Sequence, residues 1–229
     1  MRTLVVQTLT EHLLNQGFSD RYITDVQLAH LVDGSKQRRH HLVNRAIKAK
    51  ELSRLKRGLY ILSNTLRSEP CHPFAIAQAM VPGCYVSLES ALAYHGWIPE
   101  AVMTTACIIP QRKSREYSHP DLGTFTFRPL ALQTGYFLEM VQYTRINQQS
   151  LLVAKPLRAL IDLVCINKIH WQGLDWLQQG LRIEEENLSL IRTQEIQTLK
   201  NVYKQKRVQH FLEQLSFSLK LSSPIPSQA

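Results

Sequence analysis

The sequence predicts an α+β chain in two parts: a small N-terminal domain of helices closed by a β-hairpin, then a mixed α/β C-terminal domain with a small sheet and C-terminal helices. Three observations carry this. Residues Lys36 to Arg57, KQRRHHLVNRAIKAKELSRLKR, hold nine Lys or Arg against one acid, Glu51, and so +8 of the chain's formal +9. That basic stretch is preceded by a capped helical pattern and followed by two short apolar alternations about a Gly. After the polar, Pro-containing run SNTLRSEPCH at 63 to 72 the texture changes to short β-rich runs and further helices, which places a boundary there. The division predicted is residues 1–66, residues 73–220 and a frayed tail at 221–229.

In chain order, residues 1 to 16 read as a first helix, with Leu4, Val5, Leu9, Leu13 and Leu14 near one side and Gly17 as its stop. ITDVQLAHLV follows, in which Thr24 and Gln27 stand at capping-box spacing and Val26, Leu28, Leu31 and Val32 supply apolar anchors. Asp33-Gly34 is a tight turn. Ser35 then caps a basic helix whose apolar stripe is Leu42, Val43, Ala46 and Ile47. At 100° per residue the opposite face carries Gln37, Arg38, His41, Asn44, Arg45 and Lys48. The helix ends near Lys50, and LSRLKRGLYIL turns about Lys56-Arg57-Gly58, where Gly58 supplies a positive φ.

Helix, Gly-containing turn, basic helix and basic hairpin is the order of a winged helix-turn-helix. A chain whose excess charge sits in one short segment has a local electrostatic site, and this one is suited to phosphate. On this reading Gln37, Arg38, His41, Asn44 and Arg45 lie nearest base edges of double-stranded DNA. Ser35, Lys36, Arg39 and Lys48 meet phosphates, and Arg54, Lys56 and Arg57 grip the flanking backbone or minor groove.

With 229 residues and 44% hydrophobic content the chain has enough apolar material for packed cores, which excludes a disordered chain. No apolar run approaches the ~18 residues of a membrane span, and MRTLVVQTLTEHLL is amphipathic rather than a signal peptide, so a cytoplasmic protein is expected. Cys71, Cys84, Cys107 and Cys165 are far apart and form no CxxC; they are read as reduced, with no metal and no cofactor implied. A pI near 9.5 favours an anionic partner, and the absence of a basic amphipathic helix with large aromatics favours nucleic acid over membrane.

In the second part PFAIAQAM is a short helix from Pro73, and Val81-Pro82-Gly83 a turn. Ser87 caps the next helix, which stops at Gly96, and His95 is read as a residue that packs at that helix end rather than a catalytic one. MTTACIIP, GTFTFRPL and SLLVA read as strands of one small sheet, and the polar Gln111–Arg115 segment as a basic loop. Pro156 opens the helix LRALIDLVCINK. WQGLDWLQQGL and a long stretch from Ser189 to Leu219 continue helical, Glu184–Glu186 starts a helix or solvates a loop, and Lys200, Lys204, Lys206 and Arg207 form a second basic cluster.

Several of these stretches resemble the AbiEi family of antitoxins and transcriptional regulators. They are Arg57-Gly58-Leu59-Tyr60-Ile61-Leu62, Tyr85 to Leu92, His95-Gly96-Trp97-Ile98-Pro99, Thr104-Thr105, Ile109-Pro110, Gly123 to Phe127 and Ala154 to Leu163, in the family's order over about residues 20 to 215. The family often has an acid where Leu157 stands. The resemblance implies a winged helix that binds inverted repeats in its own promoter and represses a type IV toxin–antitoxin operon. It also implies a C-terminal domain supporting repression and neutralisation, and a nucleotidyltransferase-like toxin encoded next door, with a direct complex not required.

Two other classes are weighed. A restriction-type nuclease needs clustered acids and a Lys on adjacent strands. Asp121 precedes a strand with no ExK or DxK, and GxSxG, P-loop, HExxH and Gly-rich dinucleotide motifs are absent, so no enzyme is expected. A stand-alone winged-helix regulator, whose C-terminal domain senses a ligand or binds a partner with no toxin, is the alternative. No heptad seam is visible, which leaves a monomer that binds cooperatively or a weak dimer.

Overall fold

A computed structural model describes residues 8–99, 103–146 and 149–220. It is a mixed α+β protein with small sheets, divided into two compact units, 1–82 and 83–229. The expected tail and the first seven residues of the expected N-terminal helix lie outside the described residues.

The first unit begins with α1 (Leu9–Asn15), closed at its start by a reciprocal Thr8–Glu11 capping box. Next come β1 (Ile23–Thr24) and α2 (Asp25–Leu31), the latter capped by the Thr24–Gln27 box that the spacing predicts. Ser35 accepts the Arg38 amide and starts α3 (Lys36–Lys48). That helix ends in a left-handed Lys50, with Lys50 N–H donating to Ile47 O and Glu51 N–H to Ala46 O, a Schellman closure made without glycine. β2 (Leu52–Lys56) and β3 (Leu59–Leu62) form the hairpin. β1 adds to its far side, giving an antiparallel sheet in the order β1-β3-β2.

Leu13, Ile23, Leu28, Val43, Leu52 and Leu62 gather between helices and sheet as the core. Val26, expected among the anchors, is instead 67% exposed, because helical spacing puts it on the outer side of α2 from Leu28. A 3₁₀ turn (Asn64–Leu66) and α4 (Pro73–Met80) complete the unit. The sequence division places α4 in the second domain, but it packs on β2, and Lys56 Nζ donates to the Met80 carbonyl. The division therefore falls after Pro82 rather than in the 63–72 stretch.

The second unit is built on a six-stranded sheet in the order β6-β7-β5-β4-β9-β8. β4 (Tyr85–Val86) leads to α5 (Leu88–Tyr94); β5 (Thr104–Ile109), β6 (Arg115–His119), β7 (Gly123–Pro129), β8 (Val141–Ile146) and β9 (Gln149–Ala154) follow. β5 runs parallel to β7 and β4 parallel to β9; the other neighbours are antiparallel. The sheet is larger than the three expected strands. Its polar edge strands β6 and β8 lack a strong apolar alternation, and β4 is only two residues long.

Pro156 stands at the first position of α6 (Pro156–Ile166), which is buried along most of its length. The segment expected to continue as helix at 171–181 ends in a π turn at Trp176–Gly180. α7 (Glu185–Ser189) starts within the acidic run, with Glu184 as its N-cap residue and Glu185 and Glu186 in its first turn, and the expected long C-terminal stretch is two helices, α8 (Thr193–Lys200) and α9 (Lys206–Ser218). Ser87 precedes α5 but makes no side-chain cap; its hydroxyl donates instead to Asp162 at 2.7 Å.

That bond belongs to a closed network. Arg158 and Asp162 are both fully buried and pair at 3.0 Å, one helical turn apart on α6. Asp162 also accepts from Tyr85 at 2.9 Å and Tyr203 at 2.6 Å. Arg158 donates to Tyr85 Oη at 2.7 Å and to the Glu139 carbonyl at 3.0 Å. Burial acts against the Arg158 charge, but the Asp162 carboxylate together with Tyr203 and Tyr85 outweighs it and holds the guanidinium protonated. Burial and then Asp162 push both tyrosine hydroxyls well above their ordinary range.

Candidate nucleic-acid interface

Local sequence sets the frame of the basic region. Gly34, at φ +105°, lets the chain reverse between α2 and α3, and a Cβ there would lie 3.0 Å from Arg38 Cδ. Gly58, at φ +75°, closes the hairpin, and a Cβ there would lie 3.0 Å from Asp25 Oδ2. Asp25 also donates its amide to the Gly58 carbonyl at 3.2 Å. One acid at the start of α2 thus ties the hairpin tip to the helix pair. Burial and then the Asp25 charge raise the Tyr60 hydroxyl above its usual value.

Between α3, the hairpin and the start of α2 lies a cleft of about 540 Å³. Lys36, Arg39, His40, Arg54 and Arg57 line it, with Tyr60 in its wall and Asp25 as its only acid. Arg39 Nη1 donates to the Gly34 carbonyl at 2.5 Å, which fixes its stem against the turn. Arg54 Nη2 donates to Asn44 Oδ1 at 3.1 Å, Asn44 reaches the His40 ring at 3.2 Å, and the Arg54 guanidinium lies 5.8 Å from the Tyr60 ring centre. This chain of contacts joins helix to hairpin and sets the guanidinium at the mouth of the cleft. Lys36 and Arg57 are exposed and make no ion pair among the described residues.

The twelve residues read from the sequence divide by position. Lys36, Arg39, Arg54 and Arg57 meet in the cleft, while Gln37, Arg38, His41 and Lys48 are exposed along the outer face of α3. Arg45, also exposed, borders a second groove beside α1. Ser35 has its hydroxyl engaged as the helix cap. Asn44 is half-buried and spent on Arg54 and His40, so its amide is part of the frame as well as of the surface. Lys56 is directed onto the Met80 carbonyl.

Sequence reasoning missed His40, which sits at the edge of the helical face next to the hairpin; the adjacent pair His40-His41 was the available signal. It missed Asp25 and Tyr60 too, for which only long-range pairing gives a signal. Glu51, the one acid of the basic stretch, is turned to α1, where it accepts the Thr10 hydroxyl at 2.6 Å. Its charge is thereby directed to the α1 side of the stretch.

In the second unit the second basic cluster is partly consumed. Arg207 donates to the carbonyls of Val164, Cys165 and Ile169 at 2.7–3.2 Å, closing the C-terminal end of α6, and Lys200 lies 3.9 Å from Glu213. His95 lies at the end of α5 with Nε2 2.9 Å from the Ala154 carbonyl. Leu157, at the position where the acid was expected, is 2% exposed. The cysteines are free, three of them buried. Among the described residues no three His, Cys, Asp or Glu are grouped to hold a metal, and no helix is long and apolar enough to cross a membrane.

No protein-family model matches the chain, and no curated protein matches it.

Proposed function

We propose that the first unit is a winged helix-turn-helix that binds double-stranded DNA, and that the protein is a DNA-binding transcriptional regulator. One observation carries this reading. Four cations from two separate elements, Lys36 and Arg39 on α3 and Arg54 and Arg57 on the hairpin, converge on one open cleft beside an exposed, polar helix face. A phosphate backbone supplies closely spaced negative charge, and a helix flanked by a cationic hairpin can follow it while presenting side chains to base edges. In this arrangement Gln37, Arg38 and His41 read bases, and Lys36, Arg39, Arg54, Arg57 and Lys48 hold the backbone.

The finer role, autorepressor and antitoxin of an AbiE-like type IV operon, is supported by the ordered sequence resemblance alone. It gives the reading an operator to test, the DNA upstream of the protein's own gene. The experiment is a gel-shift titration of that DNA against scrambled competitor at two salt concentrations. Specific binding with a log–log salt slope near −5, as for about six neutralised phosphates, is expected. Weak binding that is equal on both DNAs would reduce the basic face to a general phosphate grip. For the antitoxin role, rescue of growth against a nucleotidyltransferase-like reading frame downstream is expected.

A further inference from the structure

One face of the second sheet is polar at its β5–β7 seam. In the parallel register Thr104 stands beside Thr124, Ala106 beside Thr126 and Ile108 beside Arg128. A cleft of about 560 Å³ opens over this floor, within the roughly 300–1,000 Å³ typical of small-molecule sites. Leu88, Ile98 and Leu181 give it an apolar wall. Glu89 at the start of α5 and Arg128 at the end of β7 give it two opposite charges. Neither charge has a hydrogen bond or ion pair among the described residues, although both border the same space.

Opposite charges that share a partly enclosed cleft and do not neutralise one another leave room for a ligand that carries both signs. The guanidinium can take a carboxylate through two parallel hydrogen bonds, and the carboxylate of Glu89 can accept from an ammonium. Thr104, Thr126 and Asn167 add neutral donors and acceptors around them. The wall itself is held in an uncommon backbone. Leu88 is 4% exposed yet sits at φ +56°, and Gly180 ends a π turn. Strained residues and π turns both accumulate where backbone is shaped around a ligand.

We propose that this cleft binds a small zwitterion with an apolar body, an amino acid or a dipeptide. Its carboxylate lies on Arg128, its ammonium on Glu89 and its side chain against Leu88, Ile98 and Leu181. The proposal is independent of the DNA reading, since it uses only residues of the second unit.

The test uses the full chain, titrated by calorimetry and thermal shift with the standard L-amino acids and a set of apolar dipeptides. The best binder is then compared with its amide, which lacks the carboxylate, and its N-acetyl form, which lacks the ammonium. Saturable binding is expected for at least one apolar member, weakened about tenfold or more in each derivative. Arg128→Leu is expected to remove it, and Glu89→Gln to weaken it about tenfold, with unchanged circular dichroism because neither side chain is buried. Should Arg128→Leu fold poorly, Arg128→Lys retains the charge without the fork and is expected to bind more weakly than wild type. The proposal is overturned by no saturable response up to about 10 mM. It is overturned equally by derivatives that bind as well as the parent, or by binding that survives both the Arg128 and Glu89 substitutions.

Discussion

Arg54 and Arg158 carry the same guanidinium into opposite surroundings. Arg54 is exposed at the mouth of a cleft shared with Lys36, Arg39 and Arg57, where Asp25, the acid among the lining residues, is tied to the hairpin turn through Gly58. Arg158 is fully buried and its hydrogen bonds go to Asp162, Tyr85 and the Glu139 carbonyl. A charge satisfied within the fold contributes to the fold. A charge left in an open cleft, repelled by its neighbours, is stabilised by an anion from outside. Formal net charge counts both alike, so it measures attraction for nucleic acid only after the internal pairs are set aside.

The largest effect that would test this contrast is in the buried network. Asp162→Ala leaves Arg158 charged and unpaired in the core and is expected to cost about 3–5 kcal/mol. All three tryptophans, Trp97, Trp171 and Trp176, belong to the second unit, so their fluorescence in a denaturant titration reports that loss. An unchanged midpoint would contradict the structural role of the pair.

On the open side, Arg38→Ala is expected to cost about 1–3 kcal/mol on operator DNA and less on unrelated sequence, provided that it forks onto a guanine. Equal losses on every sequence would make it a phosphate contact. Circular dichroism should be unchanged, since Arg38 is exposed.

Lys56 and Arg57 sharpen the comparison within two adjacent residues. Arg57→Ala is expected to reduce the salt slope by about 1, whereas Lys56→Met should leave the slope unchanged and cost about 1 kcal/mol of stability. The difference follows from the Met80 carbonyl that already holds the Lys56 ammonium. Equal slopes for both variants and wild type would remove Arg57 from the interface.

The smallest effect is on pH. Burial lowers the His95 ring below its usual 6.5, with the Ala154 carbonyl opposing, and burial alone lowers His72 in the first unit. As pH falls the unfolded chain takes up these protons first. The stability of the neutral rings is therefore present above about 6.5 and is lost as pH drops through their lower folded values. Thermal unfolding should show a falling Tm from about pH 7 to about pH 5, and a flatter profile in His95→Gln.

Much of the first unit was legible because its signals are local. The Thr24–Gln27 box, the Ser35 cap, and the glycines at 34 and 58 act within a few residues, and each is found where the spacing puts it. β1 was not legible: Ile23–Thr24 becomes a strand only because Tyr60 and Leu59 pair with it. β6, with Arg-Glu-Tyr-Ser-His, has no apolar alternation and is a strand because β7 offers it an edge. Within the basic face, charge pointed to Lys36, Arg39, Arg54, Lys56 and Arg57 alike, and it does not record that four of these line the cleft with His40 while Lys56 reaches the Met80 carbonyl.

By itself the sequence determined where positive charge is concentrated and which short segments become helix, turn and hairpin. Caps, glycines and 3.6-residue periodicity act over distances that the chain cannot escape. Only the tertiary structure decided which charges remain available. Glu51 meets Thr10, Lys56 meets Met80, Arg207 meets the end of α6, and Asp162 meets Tyr85, pairs separated by 24 to 77 residues. A buried polar group must find a partner wherever the packing places one, and no local pattern records where that is.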